Sequence, residues 1–139
     1  MHFLKQLLAV AAIAVSTLAG AEPGVTATTI TLGMSSPFTG PNGAYGLDMR
    51  QVIESYFDQV NKSGGVNGRK VSLLALDDGY ETDRTVANTN ALINDKKVFA
   101  LLAFYGSSPT TEAMNRVFGP ARVPLVGTIS GAGTLREPI

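Results

Sequence analysis

Ser107 and Ser108 are the residues of this chain whose types and spacing best support chemistry, and that chemistry is the binding of an anion. They follow the uncharged run Val98 to Phe104 and Gly106, and they lead into Pro109, a residue favoured at the first position of a helix. The pattern predicts a buried strand over 98–104 and a helix from Pro109, with Ser108 as its N-cap. Two hydroxyls and the unpaired backbone N–H groups of the first turn then face out of the carboxyl end of a sheet. Unpaired donors and the positive end of the helix dipole both favour negative charge there. A small anion or carboxylate suits the place.

Other reactive residue types are scarce. The chain has no Cys and one His, His2. Disulfides, Cys–His and Ser–His–Asp catalysis, and thiolate or imidazole zinc sites are therefore disfavoured. A non-enzymatic protein with no metal and no cofactor is expected. Asp77 and Asp78 are adjacent, but neighbouring strand residues point to opposite faces and do not easily share one ion. Helix capping is the role expected of them. Gly40, Gly43 and Gly46 match neither the dinucleotide nor the phosphate-loop spacing, and no lysine follows them. The net charge is zero and no basic cluster stands out, which argues against nucleic-acid binding. Asn61-Lys62-Ser63 reads as a glycosylation sequon, without a sign that it is used.

The N-terminus has a different character. Lys5, the apolar run Leu7 to Leu18 and the small residues Ala19-Gly20-Ala21 form the pattern of a secretory signal peptide over residues 1–21. Cleavage is expected after Ala21, and no cysteine follows to carry a lipid. His2 leaves with the signal, and so does Lys5, giving residues 22–139 one net negative charge.

The elements that must position the serines follow from periodicity. Strands are predicted over 30–34, 71–76, 98–104 and 123–127. Met49, Val52, Ile53, Tyr56, Phe57 and Val60 recur at helical steps as an inward face, and Gly64-Gly65 ends that helix. Further helices are predicted over 82–94 and 109–118. Tyr45 falls on the loop 35–46, before the first helix. Strands alternating with helices at this spacing predict an α/β fold with a doubly wound parallel sheet. The last strand and its loop meet Pro138-Ile139 with no covering helix, so an incomplete chain is expected.

Five ordered segments carry a resemblance: Ile30 to Gly40 (ITLGMSSPFTG), Asn61 to Lys70 (NKSGGVNGRK), Leu76 to Asp83 (LDDGYETD), Tyr105 to Pro109 (YGSSP) and Pro124 to Ala132 (PLVGTISGA). Together they resemble the beginning of a type I periplasmic binding protein of the leucine/isoleucine/valine-binding group, the solute-receptor subunits of ABC importers. The resemblance implies two lobes with ligand held between them, of which residues 22–139 form part of the first. It implies strand order 2-1-3-4 here, with the ligand outside the carboxyl ends of strands one and three. It implies a periplasmic protein that binds an amino acid or related small carboxylate and delivers it to a membrane permease. A ligand-sensing regulatory domain of the same fold is the alternative.

By the same resemblance, Ser107 matches the serine that holds the ligand's carboxylate, with Ser108 beside it. Ser130, Gly131 and Ala132 match the loop that holds the amine and carboxylate. Tyr45 matches an aromatic wall, and Tyr105 is a weaker candidate at the top of the sheet. Branched-chain amino acid binders often have a threonine where this chain reads Ser-Gly-Ala, a departure from leucine-type specificity. Micromolar binding needs about 8 kcal/mol net. One wall of a cleft falls short of that, so these 139 residues alone are expected to bind amino acids weakly or not at all.

Overall fold

The computed structural model describes residues 22–136. The predicted signal segment and its cleavage site lie outside the described residues. Four strands, β1 (Thr29–Ser36), β2 (Lys70–Asp77), β3 (Ala100–Leu102) and β4 (Leu125–Val126), form one sheet in the order β2-β1-β3-β4. Every strand pairing is parallel, as the alternation of strand and helix predicts.

Three helical segments connect them: α1 (Gly43–Lys62), α2 (Thr82–Asn90) and α3 (Ser107–Ala113). α2 and α3 each run on into a π-helical turn, over Ala91–Asp95 and Met114–Phe118. The step from β1 to β2 goes one way along the sheet and the step from β2 to β3 goes the other. Right-handed crossovers then place α1 on one face and the later helices on the other. α1 packs along β2, whereas α2 and α3 pack on each other. A clamp fixes the first docking: the Asn61 amide donates to the Val71 carbonyl and accepts from its N–H, both at 2.8 Å. That is the use this fold makes of the sequon asparagine.

The core lies under α2 and α3. Leu92, Val98, Leu101, Phe104, Ala113 and Phe118 are buried together, and Phe104 meets Phe118 edge-on at 6.4 Å. Burying side chains of this size stabilises the fold by roughly 1.5–3 kcal/mol each for the larger ones.

Several predicted boundaries move. β3 spans Ala100–Leu102 rather than 98–104, because Lys97 and Ala103 adopt left-handed φ of 53° and 55° on either side of it. The Ser36 hydroxyl donates to the Ala103 carbonyl at 2.8 Å and holds the second kink. β4 is Leu125–Val126, set between left-handed Arg122 and Gly127. α1 begins at Gly43 instead of near Met49, so Tyr45 stands on its first turn and not in a loop. Gly46 allows this start, since a Cβ there would lie 1.8 Å from the Pro37 carbonyl oxygen. On the predicted inward face of α1, Val52 and Tyr56 are 69% and 62% exposed. α1 reaches chiefly β2, so only part of its apolar stripe finds a surface.

Candidate functional site

The first turn of α3 differs from expectation in its cap. α3 starts at Ser107, its N-cap is Gly106 at φ 101°, and no side chain caps it. Ser108 therefore lies inside the helix, and Pro109 falls in its first turn but not at its first position. The physical cause is Gly106, whose left-handed backbone turns the chain into the helix earlier than a serine cap would. The turn is braced from the next strand: Gly106 N–H donates to the Ile129 carbonyl, and Ile129 N–H donates to the Phe104 carbonyl, both at 2.9 Å. Tyr105 and Ile129 form a parallel bridge beyond the ends of β3 and β4.

This bracing brings two distant loops together. Ser130 Oγ donates to Ser107 Oγ at 3.0 Å, and Gly131 N–H donates to the same oxygen at 3.2 Å. Ala132 N–H donates to Ser130 Oγ at 3.0 Å. A hollow of about 300 Å³ opens here, lined by Tyr80, Tyr105, Ser107, Ile129, Ser130 and Gly131. It lies at the low end of the size range of small-molecule sites. Its place is the carboxyl end of the sheet near the β1/β3 reversal of strand order, where ligands of open α/β sheets bind.

Of the predicted residues, Ser107, Ser130, Gly131 and Tyr105 line the hollow. Tyr45 stands behind it, its ring stacked on that of Tyr105 at 5.4 Å with 12° between the planes. Ser108 is exposed on α3 and is not among the lining residues, and Ala132 contributes through its N–H to Ser130. Two residues were not foreseen. Tyr80 lines the hollow, its ring 5.7 Å from that of Tyr105 at a tilt of 58°. Arg136 donates from Nη2 to the Ser130 carbonyl. The position of Tyr80 in the exit loop of β2, at the same end of the sheet, was a usable signal. Arg136 offered none.

The acidic pair is used differently from the cap that was expected. The N-cap of α2 is Glu81, without a side-chain cap bond. Asp77 instead accepts from Phe38 N–H and Thr39 Oγ1, each at 2.7 Å, from Gly79 N–H at 3.0 Å, and from Arg84 at 3.1 Å. Partial burial opposes its charge, but the hydrogen bonds from Phe38, Thr39, Gly79 and Arg84 outweigh this and hold the carboxyl well below the usual carboxylate range. Asp78 turns the other way, accepting from the Ser35 hydroxyl at 2.8 Å and Tyr80 N–H at 2.9 Å. It is fully buried, and burial pushes its carboxyl up despite those bonds. The two carboxylates tie loops together. Among the described residues no group of three His, Cys, Asp or Glu is placed to hold a metal ion.

A parallel sheet in the order β2-β1-β3-β4 with helices packed on it is the architecture of a partial first lobe of the type I periplasmic binding protein fold. The chain belongs to the periplasmic binding protein family, whose model matches residues 29–138. The family is one of solute-binding proteins and is not enzymatic. An amino acid binding protein of Pseudomonas aeruginosa is 32% identical over 111 residues, covering 80% of this chain and 29% of its own. The crystal structure of a possible leucine/isoleucine/valine-binding protein from Rhodopirellula baltica superposes with a TM-score of 0.75 at 28% identity, over 86% of this chain and 31% of that one. The branched-chain amino acid transporter substrate binding protein LivJ of Streptococcus pneumoniae, solved with isoleucine, superposes at 0.67 with 28% identity, over 74% of this chain and 28% of its own. The chain thus spans about three-tenths of the length of these relatives.

Proposed function

We propose that this chain forms part of the first lobe of an exported solute receptor. It offers one wall of a cleft that holds an amino acid or a related small carboxylate for delivery to the permease of an ABC importer. The observation that carries this reading is the meeting of Ser107 with Ser130 and Gly131 across the carboxyl ends of two parallel strands. The relatives named above, an amino acid binding protein and an isoleucine-bound receptor, support the ligand class. Residues 1–21 serve as the export signal in this reading, with cleavage after Ala21. Ser107 holds the carboxylate through its remaining hydroxyl hydrogen, Ser130, Gly131 and Ala132 form the loop that braces it and lines the cleft, and Tyr105, backed by Tyr45, forms an apolar wall. Ser108 has a lesser part, on the exposed side of the helix.

Calorimetric titration of the whole exported receptor, of which this chain is one part, with amino acids and small carboxylates tests the proposal. Binding is expected for at least one of them. Ser107→Ala is expected to weaken it about ten- to one-hundred-fold, since a hydrogen bond to a charged group is worth roughly 1.5–3 kcal/mol. Unchanged affinity in Ser107→Ala removes Ser107 from the site, and no binding by any member of the panel removes the receptor reading.

A further inference from the structure

Tyr80 lines the hollow beside Tyr105, and its backbone is the unusual feature there. It is left-handed at φ 67°, a conformation that is unfavourable for a bulky L-residue and persists only where the surroundings impose it. Buried polar groups impose it here. Tyr80 N–H donates at 2.9 Å to Asp78 Oδ1, and Asp78 Oδ2 accepts from the Ser35 hydroxyl at 2.8 Å. Ser35 Oγ in turn accepts from the Asn88 amide at 3.2 Å. Asp78 and Ser35 are fully buried, so β1, α2 and the exit loop of β2 together fix the Tyr80 backbone.

That backbone sets the place of the ring, which lies against Gly106. A Cβ on Gly106 would stand 2.5 Å from Tyr80 Cε2, 3.1 Å from Cζ and 3.2 Å from the hydroxyl oxygen. Gly106, at φ 101°, is the residue that turns the chain into α3, and Ser107 follows it. The turn is thus held from the β4 side by the bond to the Ile129 carbonyl and from the β2 side by the Tyr80 ring. Tyr105 steadies the ring in turn, at 5.7 Å between centroids, and is itself stacked on Tyr45. A hydroxyl has one hydrogen and two lone pairs. Ser107 Oγ accepts from Ser130 Oγ and Gly131 N–H, which leaves its single hydrogen for a ligand. Hydrogen bonds weaken steeply with misalignment, so the use of that hydrogen depends on where the turn holds it.

We infer that Tyr80 is a positioning residue of this site: its ring, set in place by Asp78, holds the Gly106 turn so that the Ser107 hydroxyl hydrogen meets an incoming carboxylate. The inference rests on the receptor reading above and adds a residue to its machinery. Tyr80 acts through Ser107, by packing, and its own hydroxyl is not required.

A double-mutant cycle in the whole exported receptor tests this, read by calorimetry with the common amino acids, acetate and benzoate as probes. The probe that the native receptor binds most tightly is carried to the variants. Tyr80→Ala is expected to weaken it about three- to thirty-fold, part of the loss expected for Ser107→Ala, and Tyr80→Phe to stay within about two-fold of native. In a Ser107→Ala background, Tyr80→Ala is expected to cost less than about two-fold, because the group it positions is gone. Tyr80 is 42% exposed, so its truncation opens no core cavity. Tyr80→Gly is the second variant: glycine suits the left-handed backbone, so it should resist urea at least as well as Tyr80→Ala while binding as weakly. Native affinity in both truncations overturns the inference and leaves the receptor reading standing. Additive losses in the cycle also overturn it, since they make Tyr80 a direct ligand contact. If the native receptor binds none of the probes, the receptor reading falls and takes the inference with it.

Discussion

Two polar clusters stand at the carboxyl end of the same sheet and are used in opposite ways. At the exit of β2, Asp77 and Asp78 direct their oxygens to donors of the protein itself: Phe38, Thr39, Gly79 and Arg84 for one, Ser35 and Tyr80 for the other. At the exits of β3 and β4, Ser107 and Ser130 engage each other but leave the Ser107 hydrogen free. The difference teaches which polar residues at a switch point are used up within the fold and which keep a donor to offer. A carboxylate makes the stronger hydrogen bonds and so ties loops well, but left free beside the hollow it would repel an anionic ligand. A neutral hydroxyl carries no such repulsion and can still donate.

The largest test of that contrast is Asp77→Ala. It strips the acceptor from the loop after β1 and from Gly79, and unfolding by urea should show a loss of about 2–4 kcal/mol. A loss below about 1 kcal/mol would remove the building role. Gly106→Ala comes next, with an expected cost of about 1–3 kcal/mol from the left-handed backbone and from contact with Tyr80. Combining it with Tyr80→Ala should recover the contact part and not the backbone part, which a double-mutant cycle reads directly.

The smallest effect sharpens the distinction between the two aspartates by pH. Asp77 is depressed in the folded state, so its contribution is present above the ordinary carboxylate range and is lost as pH falls toward its folded value. Asp78 is raised, so its contribution is full below the ordinary range and is lost as pH rises through its folded value. Stability curves of the protein and of Asp78→Asn, compared from pH 4 to pH 8, should therefore differ in slope, with the native chain losing more as pH rises. Parallel curves would show that Asp78 does not titrate differently in the folded state.

Much of this was legible beforehand. The parallel sheet and its helices came from strand-length apolar runs alternating with helical periodicity, and the strand order came from the resemblance. Ser107 and Ser130 were legible as site candidates because their flanking segments carry that resemblance. Strand ends were not, since the kinks at Lys97 and Ala103 occur at residues with no turn signature. The cap of α3 was misread because serine before proline is a common local pattern, whereas the left-handed Gly106 is stabilised by Ile129 in a distant segment.

Local pattern and composition alone determined the class of fold and the lack of Cys in these 139 residues. Each of these depends on composition or on neighbours a few residues apart. Only tertiary structure decided which hydroxyl keeps a free hydrogen, that Arg136 donates to the Ser130 carbonyl, and that Tyr80 rests on Gly106. Those facts depend on the direction of hydrogen bonds and the filling of space between segments remote in the chain, and no periodicity encodes either.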